Sequence, residues 1–336
     1  MDEARTLVEK KYGLIVTNIE EMSGYDDRNY KIETKHSTDN PNIEIIWPHG
    51  YVLKIINYDD STNTKLIDAR NCLMLHLKNN KINVPIPVLN KEGQSYSLEE
   101  FKNTPGKLHA IVLLTFLPGS TLADNKHSSQ LYKNIGKYLA ETNIALENFH
   151  HEAYNEYKSS LWCLENVYKI RKCFYVVKDK QQLAIVEQHL NNFEQKVLPI
   201  ISTLEKGQIH GDFNIHNILV EGEEIKALLD FGDSYKTAYL FEIAICICYM
   251  IMHAKDICAG GDIITGYLKR RELTDVEKSL IKICVCARLC QSLVLGLHFY
   301  ETYKSNYVLS SQENGWYILN KLTACDEETI KRLWKL

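Results

Sequence analysis

The sequence predicts an α+β chain of two lobes, a small antiparallel sheet carrying one helix and then a larger, mostly helical part. Three observations carry that prediction. Apolar residues alternate with period two up to about residue 117, they recur at spacings of three and four afterwards, and Leu117-Pro118-Gly119 marks the change. A chain of 336 residues is about twice a usual domain. The lobes are drawn at 1–117 and 118–336.

In the first lobe IEEMSG, NYKIET, IEIIW, YVLKIIN, PIPVL, SYSLEEF and LHAIVLLTF read as strands, with turn signals such as Pro48-His49-Gly50 between them. Between residues 61 and 79 Leu66, Ala69, Leu73 and Leu77 fall on one helical face, and Ser61 is placed to cap its start. In the second lobe, segments 130–149, 181–204 and 277–300 carry helical periodicity. The exception is ILVEGEEIKALLDF, residues 218–231, two β-prone runs around a Glu-Gly-Glu-Glu turn, read as a hairpin among helices.

Hydrophobic residues at 45% and charged residues at 24% argue against disorder, collagen-like repeats and a membrane bundle. A net charge of -4 gives no electrostatic reason for a nucleic-acid or anionic-membrane partner. The ten cysteines contain no CxxC pair. Cys246, Cys248, Cys284, Cys286 and Cys290 lie in apolar runs and read as reduced core thiols of a cytoplasmic protein. The start, MDEARTLVEKKYG, lacks the apolar stretch of a secretory signal. Apolar runs 243–254 and 289–300 fall short of the roughly 20 residues a bilayer requires and read as buried helices.

The most informative stretch is His210-Gly211-Asp212-Phe213-Asn214-Ile215-His216-Asn217, followed after the expected hairpin by Asp230-Phe231-Gly232-Asp233. An antiparallel pair returns the chain to the end where it began, so Asn217 and Asp230 should share one mouth. Two hard oxygen ligands beside a loop carboxylate make a place for Mg²⁺ to hold nucleotide phosphates, with Asp212 facing an acceptor hydroxyl. Two other readings compete: polar residues that only cap a loop, or a metal-hydrolase set of His210, Asp212 and His216, which needs further ligands that do not declare themselves. Upstream, Lys54 interrupts the apolar YVLKIIN on the face of Val52 and Ile56, where a charge needs a partner or solvent.

HGDxxxxN with a hairpin-spaced DFGD resembles the aminoglycoside phosphotransferase and choline kinase group, a branch of the protein-kinase-like bilobal fold. The resemblance implies Asp212 as catalytic base, His210 as support of the loop, and Asn217 and Asp230 as Mg²⁺ ligands. It also places Lys54 on the donor phosphates, paired with Asp68 of LIDARN where relatives commonly carry Glu. Ser23 and Gly24 occupy the place of the nucleotide-covering loop, although neither GxGxxG nor a Walker motif is present, and a plain hairpin turn fits equally. Thr115, Phe116 and Leu117 occupy the crossover that lines the purine pocket with backbone groups. An ordinary strand leaving the first lobe is compatible with the same residues.

SGYDDRNY, YVLKI with LIDARN, LLTFLPG, HGDFNIHNIL, LLDFGDSYKTAYLFEIAICICYM and CARLCQSLVL are similar to the hydroxylysine kinase family over nearly the whole chain. Asp68 and a longer HSTDNPNIEIIW hairpin depart from it. That resemblance implies transfer of phosphate from GTP, or ATP, to 5-hydroxylysine; the residues themselves favour neither nucleotide. Asp233 and Glu242 are acids placed to meet a substrate ammonium group. Arg288 lies in an equally apolar helix near Gln291 and Ser292, so Glu242 and Arg288 either pair with each other or reach substrate. Trp162 either walls the pocket or packs. The competing functions are a kinase of choline, ethanolamine, homoserine or an aminoglycoside, and a noncatalytic nucleotide-binding pseudokinase.

Overall fold

The structure is a computed structural model describing residues 1–336 apart from 23, 25, 157–159 and 305–308, with Glu156 and Tyr303 described by backbone alone. Two compact units form, Met1–Pro118 with His151–Tyr154, and Gly119–His150 with Asn155–Leu336.

The first unit contains α1 (Asp2–Tyr12), β1 (Leu14–Met22), β2 (Arg28–Thr38), β3 (Tyr51–Ile55), α2 (Tyr58–Ser61), α3 (Thr64–Asn79), β4 (Ser97–Glu100) and β5 (Leu108–Thr115). The strands make one antiparallel sheet in the order β1-β2-β3-β5-β4. Tyr51, Leu53 and Ile55 face its core, and Val52 and Lys54 point the other way. α1 was not expected, because its charges mask Ala4, Val8 and Tyr12 at four-residue spacing. Those three side chains join the core, and Gly13, at φ 62, turns the chain into β1.

Two expected strands are absent. In IEIIW the backbone follows a turn set by Asn40, whose carbonyl accepts from the Ile43 N–H; Ile43, Ile46 and Trp47 still pack on the core, while Ile45 is 83% exposed. PIPVL forms a single bridge, Pro87 to Leu114, since its prolines cannot donate to a ladder. The helix predicted from residue 61 begins later. Asn63 caps α3 by accepting from the Leu66 N–H, whereas the Ser61 hydroxyl donates to the Ile56 and Asn57 carbonyls and closes α2.

From residue 119 onward come β6 (Ser120–Thr121), α4 (Ser129–Leu146), α5 (Ala153–Glu156), α6 (Lys180–Lys196), β7 (Lys206–Ile209), β8 (Ile218–Glu221), β9 (Glu224–Leu228) and β10 (Tyr235–Ala238). α7 (Tyr239–Ala254), α8 (Ala259–Tyr267), α9 (Asp275–Tyr303), α10 (Gln312–Ala324) and α11 (Glu327–Trp334) complete it. α6 stops short of the predicted end, and a 3₁₀ stretch, Leu198–Thr203, takes over where Pro199 removes a donor. α9 starts on a capping box between Thr274 and Glu277 and packs against α6, α7 and α10. Its residues Asp275–Thr302 are long and apolar enough to cross a membrane by length and composition, more than the twelve-residue run suggested, yet 89% of the most apolar stretch is buried inside the protein. All ten cysteines are free thiols; Cys246, Cys248, Cys284, Cys286 and Cys290 are buried, and Cys258 is exposed.

Candidate active site

The loop 210–217 is strung between β7 and β8. β7 pairs with β10, Ile209 opposite Tyr235. The β8–β9 hairpin sets Ile218 opposite Leu228, and the Leu229 N–H donates to the Asn217 carbonyl at 2.8 Å. Asn217 and Asp230 therefore leave the same end of the hairpin, as antiparallel geometry requires.

His210 is fully buried; its Nε2 bonds the Leu229 carbonyl at 2.8 Å, and its Nδ1 accepts from the Asp212 N–H at 3.2 Å. Burial pushes its pKa down, and Phe213 and Phe231 present edges to the ring. A neutral imidazole with both nitrogens committed is a brace for the loop. The hydrolase reading fails here, because His210, Asp212 and His216 are not among the described residues that converge within ligand distance.

Gly211 sits at φ 84, and a Cβ there would lie 2.2 Å from the Asp233 carbonyl oxygen, so only glycine fits. Its N–H donates to the carboxylate of Glu242, at 3.2 and 3.3 Å to the two oxygens. Glu242 is fully buried on the first turn of α7, and burial lifts its pKa from 4.5 to about 8, opposed by the Gly211 and His210 N–H groups. Between those values the folded protein keeps a proton that the unfolded chain has lost, so stability falls as pH rises through that window. The slope attributable to this group is on the order of 1 kcal/mol per pH unit. Denaturant unfolding of Glu242→Gln from pH 5 to 8 should lose that slope while the wild-type chain keeps it; parallel profiles contradict the assignment.

The Asp212 carboxylate is held from both sides. Oδ1 accepts from Arg288 Nη2 at 3.1 Å, and Oδ2 accepts from Asn214 Nδ2 at 2.7 Å and Asn217 Nδ2 at 3.0 Å. Arg288, 1% exposed, also donates to Tyr249 Oη at 3.1 Å and to the Trp162 carbonyl and Gln291 Oε1, both at 3.0 Å. Its guanidinium lies over the rings of Trp162 and Tyr249, 5.1 and 5.4 Å from their centroids. Trp162 in turn stacks on Phe299, so it covers the arginine. The expected pairing of Glu242 with Arg288 is thereby corrected, since each side chain bonds other partners. One holds the Gly211 backbone and the other the Asp212 carboxylate.

Asp230 is exposed, in the left-handed region at φ 54, with Oδ1 accepting from the Gly232 N–H at 3.2 Å. Asp233 is half-buried, with its carbonyl against Gly211. Because Asn217 Nδ2 also bonds the Asp212 carbonyl at 2.9 Å, the amide nitrogen is spent and Oδ1 is left to accept. An amide oxygen and a carboxylate at one hairpin end are a donor set that fits Mg²⁺.

In the first unit, Lys54 on β3 lies opposite Asn29 of β2 and Val112 of β5, with Nζ 3.7 Å from Asp27 Oδ2. Asp27 also accepts from the Asn57 N–H at 2.9 Å, and Asp26 from Asn57 Nδ2 at 3.2 Å. Burial first, and then repulsion from Asp27 and Asp60, raise the Asp26 pKa to about 6. The expected Lys54–Asp68 pair is not formed. Asp68, half exposed on α3, instead faces His151 Nε2 at 3.4 Å. Gly24 packs tightly, since a Cβ would meet the Asp27 carbonyl at 2.4 Å; Ser23 lies outside the described residues.

At the crossover, the Thr115 N–H donates to Ile86, the Phe116 N–H to Gly50, and the Phe116 carbonyl accepts Trp47 Nε1 at 2.6 Å. Thr115 and Phe116 thus have these backbone groups committed inside the first unit, and Leu117 is buried. Sequence reasoning gave no role to Asn214, Tyr249 or Asp27. Asn214 stood inside the quoted motif, and its Oδ1 bonds to the His216 and Asn217 N–H groups are an ordinary Asx turn that the motif could have suggested. Tyr249 carried no signal beyond a place in an apolar helix.

Residues 21–277 match the model of the phosphotransferase enzyme family. Hydroxylysine kinase of Xenopus laevis is 34% identical over 99% of this chain and 92% of its own length, and that of Mus musculus 31% over 99% and 91%. Among solved structures, an amicoumacin kinase superposes with a TM-score of 0.72 at 16% identity, covering 99% of this chain and 96% of that one. With the antiparallel sheet, the helical second unit and the HGDxxxxN loop in place, the chain belongs to the phosphotransferase enzyme family, as a small-molecule kinase related to the hydroxylysine kinases that acts on a hydroxyl group.

Proposed function

We propose that this chain transfers the γ-phosphoryl group of GTP to the hydroxyl of 5-hydroxylysine. The observation that carries the reading is the Asp212 carboxylate, gripped by Arg288, Asn214 and Asn217 beside the oxygen donors of Asn217 and Asp230. Support for the acceptor comes from the relatives' identity as hydroxylysine kinases over nearly the whole chain.

Asp212 accepts the proton of the substrate hydroxyl as that oxygen bonds to the γ-phosphorus and the bond to the bridging oxygen of GDP breaks. Lys54 exchanges Asp27 for the donor phosphates. Asp233 receives an ammonium group of the acceptor. Asn217 and Asp230 would hold Mg²⁺, which would supply charge neutralisation on the donor phosphates. Five buried thiols suit a reducing, cytoplasmic setting.

Asp230→Asn should raise the Mg²⁺ concentration for half-maximal rate by about tenfold or more, since a charged hard ligand becomes neutral; an unchanged Mg²⁺ titration removes Asp230 from the ligand set. The proposal as a whole is tested by a panel of 5-hydroxylysine, homoserine, ethanolamine, choline and an aminoglycoside against GTP and ATP. The highest kcat/KM is expected for 5-hydroxylysine with GTP, and lysine, lacking the hydroxyl, should not be phosphorylated. A higher kcat/KM for another acceptor overturns the substrate, and one for ATP overturns the donor.

A further inference from the structure

Three metal-ligating side chains meet on the first unit. Asp68 and Cys72 stand four residues apart on α3 and so share one helix face. His151 comes from the short segment His151–Tyr154, which packs with the first unit although its sequence neighbours on both sides do not. A carboxylate oxygen, Sγ and a ring nitrogen from the three all lie within 4.8 Å of one another. Asp68 and His151 also line a surface pocket of about 510 Å³, together with Thr64, Lys65 and Glu152. Independent observations thus coincide here, a convergent donor set and a recess open to an incoming ion. The acid that fails to serve Lys54 is the one that faces this recess.

We propose that Asp68, Cys72 and His151 form a binding site for a divalent transition ion of the zinc type, with the fourth position open to solvent. A thiolate and an imidazole favour such an ion over Mg²⁺ or Ca²⁺, which prefer the all-oxygen donors of Asn217 and Asp230. Zinc bond lengths of about 2.0–2.3 Å in a tetrahedron place ligand atoms roughly 3.3–3.6 Å apart. Side-chain rotations that move each atom by about 1 Å reach that spacing. Loading replaces the Asp68–His151 pair, and it moves the ring proton to Nδ1 at the expense of a long 3.3 Å bond from the Ala153 N–H. Cys72 gives up its thiol proton to the buffer as the metal–sulfur bond forms. A bound ion would fasten residues 151–154 to α3.

The test uses the full chain, stripped with a chelator and titrated with Co²⁺, whose bond to a thiolate gives a charge-transfer band in the near ultraviolet. The band should saturate at one equivalent, collapse on addition of Zn²⁺, vanish in Cys72→Ser and require at least tenfold more Co²⁺ in His151→Ala. Cys258→Ser, which removes the exposed thiol elsewhere, should leave it intact. Circular dichroism of each variant separates loss of the site from loss of the fold, and His151→Ala keeps the test open if Cys72→Ser does not fold. No band in the wild-type chain, a band that survives Cys72→Ser, or an unchanged titration in folded His151→Ala overturns the proposal. The oxygen donors of Asn217 and Asp230 cannot produce this band, so the outcome is independent of phosphoryl transfer.

Discussion

Asp212→Asn is expected to lower turnover by roughly 10²- to 10⁴-fold while nucleotide affinity stays within a few-fold, the range for loss of a positioned proton acceptor. The size of the effect has two sources. An amide cannot take the hydroxyl proton, and it turns an NH₂ group toward donors that now meet oxygen: Arg288 Nη2 on one side, Asn214 and Asn217 Nδ2 on the other. Donor facing donor either rotates the side chain out of register or disperses its partners. Steady-state rates beside calorimetric nucleotide binding check this. Near-normal turnover would remove Asp212 from the chemistry.

Arg288→Met is the second large effect, and it separates positioning from substrate recognition. Methionine roughly fills the volume, but four acceptors each lose one donor: the Asp212 carboxylate, Tyr249 Oη, Gln291 Oε1 and the Trp162 carbonyl. Removing one partner of a buried pair costs about 3–5 kcal/mol. Because the Asp212 side chain keeps 22% exposure, we expect the lower end, about 3 kcal/mol, read from denaturant unfolding. Turnover should fall with Asp212 freed, and KM for the amino acid should change little. Arg288→Lys should not restore it, since one ammonium cannot span the forked contacts. A rise in KM for the amino acid with kcat preserved would instead mean that Arg288 touches substrate.

The catalytic loop was legible because its chemistry is local. Residues His210 to Asn217 lie on eight consecutive positions, and the return of the hairpin to Asp230 follows from strand geometry alone. What helices bring together was not legible. Glu242 and Arg288 were visible as charges in apolar helices, and burial does demand partners for them. Which partners depends on how α7 and α9 cross, and no spacing in the chain encodes that, so a mutual bridge was as reasonable as the actual bonds to Gly211 and Asp212.

Lys54 shows the same limit. Its place on β3 could be read from alternation, but its ion pair with Asp27 depends on Asp26 and Asp27 being held by Asn57, a contact no spacing encodes. In IEIIW the apolar alternation was real and the side chains do pack, yet Asn40 takes the backbone into a turn. Alternation reports which side chains are buried, and only the ladder makes a strand.

The most direct measurement is ³¹P NMR of a mixture of the chain, Mg²⁺, GTP and 5-hydroxylysine, with the Asp212→Asn variant beside it. A phosphomonoester resonance growing in step with GDP, absent when lysine replaces hydroxylysine and suppressed in the variant, is the predicted result. GDP accompanied by inorganic phosphate alone, or a phosphomonoester formed equally well by Asp212→Asn, would contradict phosphoryl transfer at this site.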